Sequence, residues 1–138
     1  MSTCVFDTDV LSLLMRGRLP EQARRRMARV APEDAKTTAI TLGELHYGAL
    51  RSAAARRWLA AIDELRARLE CLPFDATAAE RYGELRAHLE AKGRRLDDAD
   101  LRVAAICSAR GLTLVSGNSR HFVRVPGLRF ENWLLPMP

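Results

Sequence analysis

Asp7, Glu44 and Asp100 are carboxylates from three distant stretches of the chain, and Asn118 is an amide from a fourth. Asp7 directly follows the apolar run Cys4-Val5-Phe6, and Asn118 follows Leu112-Thr113-Leu114-Val115 across a Ser116-Gly117 loop. A carboxylate at the end of a buried strand is costly unless something uses it, and open α/β sheets bind ligands at the carboxyl ends of their strands. Oxygen groups gathered this way suit a hard divalent cation. Mg²⁺ takes oxygen ligands in octahedral geometry, keeps several waters, and shares its remaining positions between carboxylates and a phosphate. Such an ion polarises a phosphoryl oxygen and acidifies a bound water. Carboxylates packed together without a cation repel one another until one protonates.

Taken singly, each of these residues has an ordinary explanation. Asp7, Asp97 or Asp98 can cap a helix, acids in a first helical turn are favoured by the dipole, and Glu44 can be a solvated surface residue. The case for a site rests on their joint placement, which depends on the elements that carry them.

The run Thr3–Phe6 predicts a first strand, with a β-branched and an aromatic member. Asp7 or Thr8 then caps a helix through Met15, closed by Gly17. Pro20 opens a second helix to about Val30, whose exposed face carries Arg24, Arg25 and Arg26. Lys36–Ile40 predicts a second strand, with Thr41 capping the helix that contains Leu42, Glu44, Leu45, Tyr47 and Leu50. Trp58, Leu59, Ile62, Leu65 and Leu69 recur at helical spacing. Cys71–Phe74 predicts a third strand, weakened by Pro73, and Asp75 caps a helix reaching Gly93. Asp97-Asp98-Ala99-Asp100 opens an apolar, small-residue helix ended by Gly111. Leu112–Val115 is the clearest strand, and Arg129-Phe130 suggests an edge strand. Strands alternating with helices predict an α/β fold: a parallel sheet of four to five strands with helices on both faces, in one domain spanning 1–138. Parallel strands bring Asp7 and Asn118 to the same sheet edge.

The 138 residues are 48% hydrophobic and 28% charged, which supports a core and argues against wholesale disorder. No apolar run approaches membrane-spanning length and no signal peptide is evident, so a soluble, cytoplasmic protein is expected. The net charge of +5 fits an anionic partner such as nucleic acid, or reflects only an Arg-rich surface. Cys4, Cys71 and Cys107 form no CxxC or His/Cys cluster, so buried free thiols are expected rather than structural zinc.

Five segments, in order, resemble the successive motifs of PIN-domain ribonucleases. They are Asp7-Thr8-Asp9-Val10-Leu11, Thr41 to Gly48, Asp100 to Ala105, Thr113 to Phe122, and Val125-Pro126-Gly127-Leu128 with the tail Glu131-Asn132-Trp133. The nearest branch is the VapC/FitB-like toxins of bacterial toxin–antitoxin pairs. The resemblance implies a Mg²⁺-dependent endoribonuclease, with Mn²⁺ as a substitute. Asp7, Glu44 and Asp100 would be metal ligands, and Asn118 would occupy the place where many members carry a fourth acid. It also implies a homodimer or larger toxin–antitoxin assembly, a VapB-like antitoxin that covers the cleft, and contact with promoter DNA only through that antitoxin.

Other residues fall around this core. Asp9 is expected to act through a water, because on a helix it points about 200° from Asp7. Asp98 and Ser116 are further candidates for indirect contact, with Thr8 able to hydrogen-bond a ligand or the phosphate. Arg24, Arg25 and Arg120 are candidate RNA contacts, as are Arg51, Arg56 and Arg57. His46 and His88 read as surface or packing residues, while His121 follows the Asn118 loop and is close enough in sequence to approach RNA. Trp58 and Trp133 could stack on bases, and the Trp58-Leu59-Ile62-Leu65 face serves equally as core, dimer interface or antitoxin groove. Two other functions stay open: a haloacid-dehalogenase-like phosphatase with Asp7 as nucleophile, and a PIN-like module that binds RNA or antitoxin without catalysis. The first lacks the expected Thr at Leu11, and its acidic pair Asp97-Asp98 precedes Ser116 instead of following it.

Overall fold

The computed structural model describes residues 3–136. The first strand, β1 (Cys4–Phe6), leads into helices α1 (Thr8–Met15) and α2 (Glu21–Ala28), then a single 3₁₀ turn at Pro32–Asp34. Strand β2 (Ala35–Thr38) is followed by α3 (Ala39–Arg51) and α4 (Ala55–Arg68), and β3 (Glu70–Leu72) by α5 (Ala76–Ala91) and α6 (Asp98–Arg110). Strand β4 (Thr113–Val115), the short helix α7 (Ser119–Phe122) and β5 (Arg129–Glu131) complete the described chain.

All strands are parallel, in the order β3-β2-β1-β4-β5. The first three strands build outward in one direction; the fourth returns to the other side of β1. The order therefore reverses between β1 and β4, and a crevice opens beyond the carboxyl ends of strands at such a switch point. Register pairs Phe6 with Val115, so Asp7 and Ser116 leave adjacent strands side by side. The amide of Asp7 still donates to the carbonyl of Val115 at 3.0 Å.

Side-chain alternation splits the core in two. Val5 and Leu114 face Leu85 and Leu89 of α5 and the run Val103–Cys107 of α6. Cys4, Phe6 and Val115 face Val10, Leu11, Leu45 and Ile62 on the helices of the opposite layer. The small residues Ala104 and Ala105 let α6 pack closely, so all of Leu101 and Val103–Cys107 is buried. This burial brings the N-terminus of α6, with Asp100, to the crevice.

Several boundaries differ from expectation. Strand β2 begins at Ala35 and stops at Thr38, and Thr38 caps α3 by accepting the Thr41 amide at 3.1 Å. Thr41 is thus inside the helix, with its hydroxyl free for another partner. Either threonine can cap, so local chemistry did not decide between them. Strand β3 occupies Glu70–Leu72, before Pro73, whose missing N–H cannot extend a ladder. Helix α2 ends at Ala28. Asp75 caps α5 as expected, accepting the Ala78 amide at 3.0 Å. Gly17 follows α1 at φ 69°, with Arg18 N–H closing on the Leu13 carbonyl at 2.8 Å, the bonding pattern that ends helices on glycine.

Candidate active site

Asp7 stands at the N-cap position of α1 with extended backbone, yet its carboxylate makes no capping bond. It is buried instead at the crevice, where the Thr41 hydroxyl donates to Oδ1 at 3.3 Å. Burial pushes its pKa up to about 6, opposed by the Thr8 amide and reinforced by the negative charges of Asp9 and Asp100. Glu44, two turns into α3 and exposed, accepts the Thr8 hydroxyl at 2.6 Å. Asp100 lies half-buried in the first turn of α6; its pKa is raised, by desolvation first, against the hydrogen bond from His121. Asn118 Nδ2 donates to Asp100 Oδ2 at 3.1 Å.

Asp7, Glu44 and Asp100 line one open cleft of about 420 Å³ together with Thr8, Asp9, Ser12, Gly117 and Asn118. Among the described residues, no arginine or lysine lines it. Asp9 lines it too, with its carboxylate held by protein donors. Its Oδ2 accepts the Gly117 amide at 2.8 Å and its Oδ1 faces the Ser116 hydroxyl at 3.3 Å. The helical wheel does not govern this pair, because Asp7 is not yet helical: its backbone is extended (φ −83°, ψ 171°), and both residues line the cleft.

The donors are all oxygens around a buried carboxylate that makes no ion pair among the described residues, which is the environment a hard cation requires. No three acidic, imidazole or thiol groups among the described residues are set closely enough to cage an ion unaided. Mg²⁺ retains several waters, which bridge gaps of this kind, so the residues fit a partly hydrated Mg²⁺ better than a dehydrated ion.

The family model described as PIN domain matches residues 4–128. This chain belongs to the PIN-domain family. Among its relatives, tRNA(fMet)-specific endonuclease VapC of Salmonella typhimurium is 43% identical over 96 residues, covering 70% of this chain and 73% of the relative. Ribonuclease VapC2 of Haemophilus influenzae is 38% identical over 97 residues, covering 70% and 74%. The crystal structure of DNA-bound VapBC from Salmonella typhimurium superimposes with a TM-score of 0.89 at 36% identity, covering 96% of this chain and 99% of that one.

Several residues singled out in the sequence lie elsewhere in this PIN domain. Asp98 turns away from the cleft: its carboxylate accepts from the Tyr82 hydroxyl and from Arg102 Nε, the latter at 2.7 Å, and these partners lower its pKa. Asp97 is at the N-cap of α6 without a side-chain capping bond. Arg24 and Arg25 rim a different opening, an apolar groove of about 820 Å³ lined by Phe6, Leu11, Leu14 and Leu65 among others, and Arg25 pairs with Glu21 at 2.9 Å. Arg120 is exposed on α7, beside Asn118. Trp133 is not free to stack on a base. It is buried edge-on against Phe6, ring centres 5.5 Å apart, with its N–H donating to Glu131. Ile62 is fully buried, while Trp58, Leu59 and Leu65 pack half-buried against the same core and Trp58 and Leu65 also line open pockets.

His121 joins the site more closely than its place after the Asn118 loop suggests. Its Nδ1 lies 3.2 Å from Asp100 Oδ2 and 3.0 Å from Asn118 Nδ2, so in the tautomer protonated at Nδ1 it donates to the same oxygen that Asn118 does. The spacing Asn118–His121 across one turn of α7 was the available signal, and it required knowing that α7 forms.

Proposed function

We propose that this chain is the toxin of a toxin–antitoxin pair and an endoribonuclease that depends on Mg²⁺, with Mn²⁺ able to replace it. The observation that carries the reading is the convergence of Asp7, Glu44 and Asp100 in one cleft at the switch point of a PIN-domain sheet. Asp7, Glu44 and Asp100 would hold the cation. When bound, it supplies positive charge for a phosphoryl oxygen and lowers the pKa of water.

The chain's own residues supply the rest. Thr8 holds Glu44 and Thr41 holds Asp7, so the two carboxylates face the same space. Asn118 and His121 both bond Asp100 Oδ2, so Oδ1 would be the oxygen left for the cation. Asp9 ties α1 to the loop after β4 and so fixes the width of the cleft. The absence of lysine from the lining, together with Leu11 at the required Thr position, disfavours the phosphatase reading.

Partners follow from the family. A VapB-like antitoxin would inhibit the enzyme and carry promoter DNA binding, as the DNA-bound VapBC relative suggests. The apolar groove rimmed by Arg24, Arg25 and Arg68 suits an amphipathic, acidic segment of such a partner. A homodimer is part of the same proposal. Among the described residues no helix is long and apolar enough to cross a membrane.

The deciding experiment is cleavage of tRNA(fMet) and of total RNA by wild type and Asp7→Ala, each with Mg²⁺ and with excess chelator. Cleavage should require the cation and fall at least about a hundred-fold in the variant, the scale on which losing one electrostatic partner acts. Undiminished cutting in chelator contradicts the proposal.

A further inference from the structure

The acidic cleft does not end at Glu44. A second pocket, about 170 Å³, is lined by Thr8, Ser12 and Glu44, which also line the cleft, and continues between α1 and α3 to Met15, Leu45, Gly48, Ala49 and Trp58. The two cavities are neighbours across these three residues and differ in the rest of their linings. One is carboxylate and amide. The other adds thioether, aliphatic and indole groups and the exposed Arg16. Trp58 is only half-buried, and Arg57 stacks over its ring at 4.9 Å.

We propose that this pocket receives an unpaired nucleobase of the RNA next to the scissile phosphate, which makes Trp58, Met15 and Gly48 determinants of where the strand is cut. The inference rests on the nuclease reading above and extends it to the substrate's conformation. Three observations favour a base as occupant. The pocket shares a wall with the proposed reaction centre, so a nucleotide whose phosphate lies in the cleft has its base within reach. Its lining combines Met15, Leu45 and Trp58 with the Thr8 and Ser12 hydroxyls and the Arg16 guanidinium, a mixture that suits a flat heteroaromatic ring attached to an anionic backbone, since bases stack on aromatic side chains while cations follow the phosphates. Its small size excludes a helix or a paired duplex, so the strand must be single-stranded or splayed at that position, as protein readers of RNA bases require.

Gly48 supplies the test. A Cβ added there meets nothing within 4 Å, and its backbone is ordinary helix, so Gly48→Leu should fold and should fill the pocket. The assay uses a short single-stranded RNA that the wild type cuts, and the same RNA with one abasic position placed in turn on each side of the cut. Melting temperatures of Gly48→Leu, Trp58→Leu and the Gly83→Leu control are measured in parallel. One flanking abasic position should lower wild-type kcat/KM about ten-fold or more, the scale of a lost base stack. Gly48→Leu should cause a similar loss on intact RNA and little further loss on that abasic RNA, while Gly83→Leu, the same change on α5 outside the pocket, stays near wild type. Losses that simply multiply overturn the proposal, as does a Gly48→Leu protein that cuts normally. If Gly48→Leu cleaves normally but escapes antitoxin inhibition, the pocket belongs to the antitoxin and the proposal falls. No cation-dependent cutting by the wild type overturns the nuclease reading itself, and this inference with it.

Discussion

Asp9 Oδ2 accepts the Gly117 amide at 2.8 Å, across 108 positions of sequence. The bond joins the first turn of α1 to the loop after β4 and closes one side of the acidic cleft. It also leaves no room at Gly117. A Cβ there would stand 2.7 Å from Asp9 Oδ2 and 2.5 Å from Leu134 Cδ1. The crowding comes from the ends of two side chains, one of them fixed by its bond to this same amide, and the φ of Gly117 is unremarkable, so close approach rather than backbone conformation favours glycine here.

Gly117→Ala should therefore push Asp9 and Leu134 aside. The expected cost is about 1–3 kcal/mol, the range for overpacked sites. Urea denaturation measures it through a lower midpoint at unchanged m-value. An unchanged midpoint shows that the loop yields freely and that the latch is weak.

Asp7 makes stability depend on pH in an unusual direction. Its folded pKa, about 6, exceeds the ordinary 3.8, so the native state binds the proton more tightly than the unfolded state. Its contribution to stability is present below pH 3.8 and declines as pH rises to about 6. In chelator at pH ~8, Asp7→Asn should be more stable than wild type by about 3 kcal/mol, and the gap should close in acid. Adding Mg²⁺ should stabilise the wild type and leave Asp7→Asn nearly unmoved. A wild type that outlasts Asp7→Asn in chelator at pH ~8 contradicts this account of its burial.

His121 shares Asp100 Oδ2 with Asn118. Groups that orient a ligand typically change metal affinity about 10- to 100-fold. Calorimetric titration with Mn²⁺ should show His121→Ala weakened by about ten-fold. His121→Asn should recover most of the loss, because its amide can reach where Nδ1 stood. Equal affinities across the three proteins remove His121 from the site.

Trp133 separates packing from recognition. Buried on Phe6, it should cost about 3–5 kcal/mol as Trp133→Ala. Trp133→Phe should keep RNA cleavage near wild type at temperatures where it is folded. A selective loss of RNA affinity in a fully folded Trp133→Phe would return this side chain to the substrate surface.

Much of this was legible in the residues. Cys4–Phe6 and Thr113–Val115 announce strands because apolar side chains on both faces of the ribbon have nowhere to go but between two helical layers. Asp75 caps α5 where its type and position require. The order of acidic motifs points to the family without any coordinates, because each motif combines an element end with a carboxylate. What the sequence could not decide was which competing use of a polar residue wins. Thr38 and Thr41 are chemically equal as caps; only the sheet register, which ends β2 at Thr38, frees the Thr41 hydroxyl for Asp7. Asp98 and Asp100 are the same residue type, two positions apart. Helix geometry turns Asp98 to Tyr82 and Arg102, and the packing of α6 brings Asp100 to the crevice. Local chemistry along the chain determines which groups exist and which elements carry them. Facing one another across a cleft depends on long-range packing, which no short stretch of residues encodes by itself.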